Sequence, residues 1–377
     1  MTQDTSRSTV SAADQAKDRA IQLFAQSSFH QCFHVSATEK HDRLRATFAT
    51  TTNFDQTELP VVLFVGPMFG NRYFCLSFDK VARENGVRVI CIDRPGTGGS
   101  TAVPIKQRIN VWLETVPQLL RHLAVDKVSL LSHSAGTIYL LNTLYHLRSI
   151  LDEGRPYAAL LAPWVSQKHS NMILLTAASK LPDAAFSGWS GLVGFINNNL
   201  APMGSWSGGI VASSLSLFQA QPGVDEVGEA SAQVKYGTDL VTANVIESLH
   251  AKYAWAEGMT GANDEARLCL AGGKGLWGSC EDFGEYIELL SAQERASQSE
   301  QGTNSKLKVQ VFFAGSDNMI GKEGQAYFES CWQQQCVDGV IDYTSTQLVD
   351  RSHETIVMDY EKGGIVRVFQ HIGAARR

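Results

Sequence analysis

The sequence predicts an α/β protein with a mostly parallel, eight-stranded sheet that is flanked by helices and interrupted by a large, mainly helical insertion. Short apolar runs, typical of strands covered on both faces, alternate with stretches whose apolar residues recur at helical spacing. Such alternation specifies a parallel sheet with helices on both of its faces. The rhythm stops near residue 167 and returns after residue 265, so one core encloses an insertion.

Eight segments have the composition and length of strands. The first two alternate between apolar and polar residues, which indicates an antiparallel pair. Most of the later ones are nearly continuous apolar runs, as expected inside a parallel sheet. The predicted strands are Phe29–Ala37, Leu44–Thr51, Leu59–Val65, Val87–Ile92, Lys127–Leu131, Tyr157–Leu161, Leu307–Ala314 and Ile341–Leu348.

Helical spacing of apolar residues predicts the segments between these strands. A short helix is expected before residue 28, and a closing helix is expected from about Tyr360. The polar stretch Ser297–Ser305 predicts a solvated loop. The other predicted helices are Arg72–Glu84, Ile109–Leu123, Ala135–Leu151 and Lys322–Gln335.

These elements divide the chain into three parts. Residues 1–28 form an N-terminal tail with a short helix, and residues 29–166 and 266–377 form the sheet domain. Residues 167–265 lack strand signals and are rich in Gly, Ser and aromatic residues, which predicts a helical cap, or lid. No Pro-rich or Gly/Ser-rich linker separates independent domains.

Composition excludes several function classes. The formal net charge of −6 argues against a nucleic-acid partner, which favours a basic face. The uncharged stretch Val128–Leu147 contains too many polar residues for a membrane span, and Met1–Arg19 lacks the apolar core of a signal peptide. The seven cysteines are scattered without a C-x-x-C pair, which predicts reduced thiols in the cytoplasm. Neither a metal site nor a cofactor is predicted.

The strongest chemical signal is the pentapeptide Ser132-His133-Ser134-Ala135-Gly136 between a predicted strand and a predicted helix. A nucleophilic serine on so tight a turn needs small residues two positions before and after it, as in the G-x-S-x-G pattern. Ser132 replaces the first glycine but is still small. Ser134 also lies at a helix N-terminus, where negative charge is favoured. The sequence therefore predicts Ser134 as a nucleophile.

A nucleophilic serine requires a base and a group that orients the base. His353 follows the last predicted strand, where a loop can return it to Ser134. Asp317 follows the preceding strand, in the chain order Ser, Asp, His that this arrangement uses. Asp350 is the competing acid, but its proximity in sequence to His353 makes the required geometry difficult.

The developing oxyanion requires two backbone N–H groups. One is expected from Ala135, directly after the nucleophile. The other is expected from the loop Gly66–Gly70, where Pro67 has no N–H, so Met68 is the predicted donor with Phe69 as the alternative. We expect Phe69, Trp164 and Trp189 to contact substrate, because aromatic residues of the cap region suggest a lid over an apolar pocket.

These residues resemble the α/β-hydrolase superfamily over nearly the whole chain, from about Phe29 onwards. The resemblance rests on Asp93-Arg94-Pro95-Gly96, on His133-Ser134-Ala135-Gly136, on Gly315-Ser316-Asp317 and on His353. More narrowly, the runs at 132–139 and 161–165 are similar to fungal hydrolases, many of them linked to secondary metabolism. In this family the acid usually stands three residues after the strand-end glycine, where this chain has Asn318. Either the turn is one residue shorter here or the acid is replaced.

The resemblance implies a serine hydrolase that cleaves an ester, lactone or thioester of a largely apolar substrate through an acyl-enzyme on Ser134. Serine at this position argues against epoxide-hydrolase or dehalogenase chemistry, which similar families perform with an aspartate. Two alternatives stay open: a non-hydrolytic cyclisation or condensation catalyst of a natural-product pathway with the same site, and a degenerate hydrolase that only binds a ligand.

Overall fold

A single eight-stranded sheet runs through the molecule, in the strand order β1-β2-β4-β3-β5-β6-β7-β8. The computed structural model describes residues 11–172, 226–258, 260–271, 274–301 and 305–374. β2 pairs antiparallel with both β1 and β4, and every later neighbouring pair is parallel. The predicted architecture and its initial antiparallel pair are therefore confirmed.

The strands agree with the predicted segments to within a few residues. The largest difference is at the end of the sheet, where β7 and β8 extend beyond their predicted ends. The strands are β1 (Gln31–Val35), β2 (Leu44–Thr50), β3 (Val61–Val65), β4 (Arg88–Ile92), β5 (Ser129–His133), β6 (Tyr157–Leu161), β7 (Leu307–Ser316) and β8 (Ile341–Ser352).

Helices connect the strands and cover both faces of the sheet. The predicted loop at 297–305 is wrong in its first part, because the preceding helix continues to Gln301. The helices are α1 (Ala12–Phe24), α2 (Phe74–Glu84), α3 (Arg108–His122), α4 (Gly136–His146), α5 (Gln167–Ser170), α6 (Glu226–Tyr236), α7 (Leu240–Ala256), α8 (Thr260–Ala271), α9 (Phe283–Gln301), α10 (Gly321–Trp332), α11 (Thr355–Met358) and α12 (Gly364–Ala374).

Side-chain alternation along the central strands creates a hydrophobic core on each face of the sheet. In β3, Leu63 and Val65 belong to one core, whereas Val62 and Phe64 belong to the other. All five residues of this strand are buried, which explains its unbroken apolar sequence. Phe64 packs edge-on against Phe78 of α2, at a ring-centroid distance of 4.8 Å.

The parallel arrangement brings the carboxyl ends of β3, β5, β7 and β8 to the same edge of the sheet. The segments that follow these strands contain the loop Gly66–Gly70, Ser134, Asp317 and His353, respectively. In open α/β sheets, ligands bind outside the carboxyl ends of the strands. The fold therefore gathers the predicted site residues at the edge where a site is expected.

Helices α6, α7 and α8 lie between β6 and β7 in the chain, in the region where the cap is predicted. α8 crosses position 265, so the boundary between cap and core stays a prediction. Trp189 lies outside the described residues. Within the described ranges, no helix combines the length and apolar character needed to cross a membrane.

Candidate active site

Ser134 lies on the tight turn between β5 and α4. Its φ is +51°, in the left-handed region that non-glycine residues rarely adopt. The turn packs closely against the end of β3: a Cβ on Gly136 would come within 2.2 Å of the Val65 carbonyl oxygen. The Ser134 N–H donates to the Leu161 carbonyl at 3.0 Å, and the Trp164 N–H donates to the Ser134 carbonyl at 3.2 Å. These contacts hold the strained turn in place, as strained functional residues require.

Ser134, His353 and Asp317 form one hydrogen-bonded chain. His353 Nε2 is 2.8 Å from Ser134 Oγ, and His353 Nδ1 is 2.9 Å from Asp317 Oδ2. An ionised carboxylate can only accept, so Nδ1–H donates to Asp317 and Nε2 accepts the Ser134 hydroxyl proton. Ser134 and His353 are only 4% and 2% exposed. The structure thus brings the three sequence-predicted residues together in the geometry that activates a serine.

Within this hydrogen-bonded chain of side chains, His353 and Asp317 stabilise each other's charged form. Burial disfavours the charged form of His353, but the carboxylate of Asp317 outweighs burial and raises the pKa of His353 above its ordinary value. Burial also acts to raise the pKa of Asp317, but His353 and two backbone N–H groups hold that pKa below its usual range. These N–H groups belong to Met319 and Ile320, which lie 2.9 and 3.1 Å from Oδ1. Asp317 is therefore an ionised, firmly held partner for the imidazole.

An irregularity in β8 aligns the acid with the histidine. Ala314 of β7 pairs with Leu348, whereas Ser316 pairs with Ser352, so β8 contains two more residues than β7 across this interval. Asp317 and His353 directly follow the second pair. Bulges of this kind are frequent next to active sites, where they redirect a side chain. The residue that contacts His353 is therefore Asp317, one position before the place where the resemblance puts the acid.

His133, directly before Ser134, is hydrogen-bonded to the backbone of His353. Its Nε2–H donates to the backbone carbonyl of His353 at 2.7 Å. Burial, together with the neighbouring His353, lowers the pKa of His133 to about 3, so its ring is neutral. Its Nδ1 and the hydroxyl of the neighbouring Ser132 are buried and have no hydrogen-bond partner among the described residues. His133 therefore fixes the backbone that carries the base.

The predicted oxyanion donors follow β5 and β3, whose carboxyl ends lie at the same edge of the sheet. Ala135 follows Ser134 directly and is fully buried, and Met68 is 7% exposed. Phe69 has a φ of +64°, so this loop also contains a left-handed backbone conformation. The Gly70 N–H donates to the Pro67 carbonyl at 2.8 Å and closes the loop into a turn. The loop after β3 and the turn after β5 thus each contain an unusual backbone conformation at the carboxyl edge of the sheet.

Two consecutive residues after β4 hold both ends of this loop. Arg94 Nη1 donates to the Gly66 carbonyl at 2.8 Å, and its Nη2 donates to the Pro67 carbonyl. Asp93 accepts from the Arg72 backbone N–H at 2.6 Å and from Arg72 Nη1 at 2.8 Å. Arg72 lies two residues beyond Gly70. The loop is therefore anchored at its start by a cation and just past its end by an anion.

Acidic residues from the region between β6 and β7 pair with these arginines. Glu257 accepts from Arg72 Nη2 at 2.8 Å. Glu265 of α8 lies 3.4 Å from Arg94 Nε and accepts from Arg108 Nη2 at 2.6 Å. Burial alone acts to raise the pKa of Glu265, but the two arginines hold it below its usual range. A buried, charged network thus links α8 to the loop beside Ser134.

The aromatic residues predicted to contact substrate differ in position. Phe69 is partly buried and packs against one of the two cores. Trp164 is fully buried, and its indole N–H donates to the Cys269 carbonyl of α8 at 3.2 Å. Whether these two residues, or Trp189, line a substrate pocket stays a prediction. Trp164 contacts the nucleophile turn through its backbone N–H.

Sequence reasoning did not assign roles to His133, Arg94, Arg108 or Glu265. His133 and Arg94 each stand within a motif that carries the family resemblance, and this was the available signal. Arg108 and Glu265 have no motif. Their pairing joins residues 157 positions apart and depends on how α8 packs, so no local pattern reveals it.

No family model matches the sequence, and no curated protein has a significantly similar sequence. Solved structures match the fold along nearly the whole chain. The esterase E22 is 12% identical, with a TM-score of 0.54 over 91% of this chain and 99% of that one. The epoxide hydrolase VrEH1 from Vigna radiata is 15% identical, with a TM-score of 0.53 over 92% of this chain and 97% of that one. The enol-lactonase from Burkholderia xenovorans LB400 is 11% identical, with a TM-score of 0.51 over 87% of this chain and 96% of that one.

At identities of 11–15%, these neighbours establish the fold alone. The chain therefore has the α/β-hydrolase fold. A serine, a histidine and an aspartate meet at its carboxyl edge.

Proposed function

We propose that this protein is a serine hydrolase that cleaves an ester, lactone or thioester of a largely apolar substrate through an acyl-enzyme on Ser134. One observation carries the proposal: the hydrogen-bonded chain from Ser134 Oγ through His353 to Asp317. This constellation performs acyl transfer on several unrelated folds, and its roles are defined by geometry. Among the structural neighbours, E22 is an esterase and the Burkholderia protein is an enol-lactonase, which supports the same reaction class.

In the proposed mechanism, Ser134 Oγ attacks the substrate carbonyl carbon while His353 Nε2 takes its proton. The carbon–heteroatom bond to the leaving group then breaks, and His353 returns the proton to that group. Water, deprotonated by His353, attacks the acyl carbon; the bond to Ser134 Oγ breaks, His353 returns the proton to Oγ, and the carboxylic acid is released. Asp317 keeps Nδ1 protonated throughout, which directs Nε2 towards the serine.

The proposed oxyanion donors are the backbone N–H groups of Met68 and Ala135. Ala135 lies at the N-terminus of α4, where N–H groups without helical partners favour negative charge. Among the described residues, neither N–H donates to a backbone carbonyl, so both are available for an oxyanion. Donors of this kind contribute a large share of catalysis because they are oriented before the charge develops.

We propose that residues 167–265 form a lid whose aromatic residues, with Phe69 and Trp164, recognise the apolar part of the substrate. The burial of Ser134 and His353 supports a site that closes over its ligand. We further propose a reducing, cytoplasmic location, supported by seven cysteines that are all free thiols.

The same burial favours a second candidate function. In a dry site, His353 and Ser134 can move protons on a biosynthetic intermediate and drive a cyclisation or condensation without water. This agrees with the resemblance to fungal hydrolases of secondary metabolism. Access of water to the acyl-enzyme decides between the two functions.

Turnover of p-nitrophenyl esters with acyl chains of two to twelve carbons tests the proposal. Ser132→Ala is the matched control, because it removes a buried hydroxyl without a partner among the described residues. Wild type and Ser132→Ala should hydrolyse the longer esters, and Ser134→Ala should be slower by on the order of 10³-fold or more. Hydrolysis that persists in Ser134→Ala contradicts the proposal. Labelling of Ser134 by a fluorophosphonate without ester turnover favours the second candidate.

A further inference from the structure

We infer that Arg94 is a positioning residue that orients the Met68 N–H for the oxyanion, and that Glu265 of α8 holds the Arg94 guanidinium in place. This inference rests on the proposed function and deepens it. It assigns a role to a buried ion network that the reaction itself does not require.

The argument begins with the peptide unit between Pro67 and Met68. A trans peptide is planar, so its C=O and its N–H point in opposite directions. No cis peptide bond occurs among the described residues. A group that binds the Pro67 carbonyl therefore fixes the direction of the Met68 N–H. Arg94 Nη2 is that group, and the Gly70 N–H is the second donor to the same oxygen.

Arginine suits this role because its planar, forked guanidinium holds two acceptors at once. Nη1 binds the Gly66 carbonyl at 2.8 Å while Nη2 binds the Pro67 carbonyl. A lysine ammonium provides a point charge without the fork. The guanidinium therefore sets the orientation of two successive peptide units, the second of which carries the Met68 N–H.

Arg94 is itself held rigidly. It is 3% exposed, its Nε lies 3.4 Å from Glu265 Oε1, and its Cζ lies 5.0 Å from the centre of the Tyr139 ring on α4. A buried arginine without a carboxylate partner is strongly unfavourable, so Glu265 stabilises the cation at this position. The pair thereby connects the packing of α8 to the geometry of the loop.

Arg108 provides a matched control within the same network. It also pairs with Glu265, but its Nη1 donates to the Pro95 carbonyl and not to the loop. Arg94→Lys and Arg108→Lys both keep the positive charge beside Glu265. Only Arg94→Lys removes the forked contact to the Gly66 and Pro67 carbonyls of the loop.

The test measures kcat and KM for an aryl ester, and amide hydrogen exchange across residues 64–71, in wild type, R94K and R108K. We expect R94K to lower kcat by on the order of 10²-fold, the typical effect of losing an oxyanion donor, with a change in KM below about threefold. Exchange of the Gly70 amide, which donates to the Pro67 carbonyl, should become faster in R94K. R108K should stay within about threefold of wild type in kcat and should keep the loop protected.

Equal losses of kcat in R94K and R108K would overturn the inference, and so would an unchanged exchange rate of the loop in R94K. If R94K does not fold, R94Q combined with E265Q removes both charges and the fork, with E265Q alone as its control. The double variant should then lose kcat and loop protection beyond E265Q, and equality of the two would overturn the inference. Absence of fluorophosphonate labelling in the wild type would contradict the proposed function and the inference together, whereas labelling with equal losses contradicts only the role of Arg94.

Discussion

Gly315 of β7 lies against the backbone of Val349 of β8: a Cβ at Gly315 would come within 2.0 Å of the Val349 carbonyl oxygen. The contact occurs inside the bulge, between the pair Ala314–Leu348 and the pair Ser316–Ser352. Asp317 and His353 directly follow the second of these pairs. We therefore expect the close approach at Gly315 to influence how these two side chains align.

Gly315→Ala should force β8 away from β7. We expect a loss of about 1–3 kcal/mol in the free energy of unfolding, the usual cost of overpacking, and a fall of at least tenfold in kcat. Gly154→Ala is the control, because a Cβ there meets only the Asp152 carboxylate, at 3.4 Å. Urea unfolding and ester turnover measure both effects. Wild-type activity in Gly315→Ala would contradict the role of the bulge.

Asp317→Asn should lower kcat/KM by on the order of 10²–10⁴-fold, because the amide no longer favours the productive tautomer and charge of His353. In the wild type, activity should fall as pH decreases through a pKa above 6.5, since His353 must be neutral to accept a proton and Asp317 raises its pKa. In the variant, burial still lowers the pKa of His353 and Glu354 is left as the carboxylate that raises it, so this acidic limb should move to lower pH. The pH profile of kcat/KM provides the measurement.

Asp350→Asn is the matched control for this substitution. Asp350 is exposed within the bulge of β8, three residues before His353. Its replacement should leave both kcat/KM and the acidic limb close to those of the wild type. A larger loss of kcat/KM in Asp350→Asn than in Asp317→Asn would show that Asp350, and not Asp317, orients His353.

Ser134→Gly should be more stable than Ser134→Ala by roughly 1 kcal/mol, although both are inactive. The φ of +51° penalises any Cβ at this position, and glycine removes the penalty. Ser149 is the control, because it is exposed and lies in a short 3₁₀ helix with ordinary φ. There, Ser149→Ala should be more stable than Ser149→Gly. Urea unfolding of all four variants checks this. Equal stability of Ser134→Gly and Ser134→Ala would show that the turn is unstrained.

His250 of α7 should contribute to acid lability. It is buried, its Nε2 lies 3.3 Å from Asn71 Oδ1, and burial lowers its pKa to about 4. Between pH 6.5 and 4 the unfolded chain binds a proton that the folded chain excludes, so stability falls as pH falls through this window. The wild type should lose free energy of unfolding between pH 7.5 and pH 4.5, and His250→Gln should make this loss smaller by on the order of 2 kcal/mol.

Urea unfolding at several pH values measures this difference. If the free energy of unfolding of His250→Gln depends on pH in parallel with that of the wild type, His250 is not the group that titrates.

Much of the fold follows from local patterns. β3 is buried on both faces and reads as an unbroken apolar run, and the turn at Ser134 stands between a strand and a helix as its motif requires. The end of α9 was not predictable from polarity alone. Residues 297–301 are polar and contain neither glycine nor proline, so they are compatible with either a loop or a surface helix. In the structure they are helical, and the Gln298 Nε2 donates to the Val340 carbonyl at 2.9 Å.

The site was predictable only where a residue belongs to a motif. The sequence predicted Asp317 but left open whether the turn is one residue shorter or the acid is replaced, because the answer depends on how β7 and β8 pair. The contact between Arg94 and the Pro67 carbonyl joins segments 27 positions apart, and the Glu265 partner comes from a different region again. Such contacts arise from tertiary packing, which no local pattern encodes.

The central claim is that Ser134 becomes acylated. Intact-protein mass spectrometry, after rapid mixing with a panel of alkyl esters, lactones and thioesters and an acid quench, measures this directly. Wild type and Ser132→Ala should gain the mass of the acyl group, and Ser134→Ala should gain none. An adduct of equal occupancy on Ser134→Ala, or no adduct on the wild type from any acyl donor that it turns over, would contradict the claim.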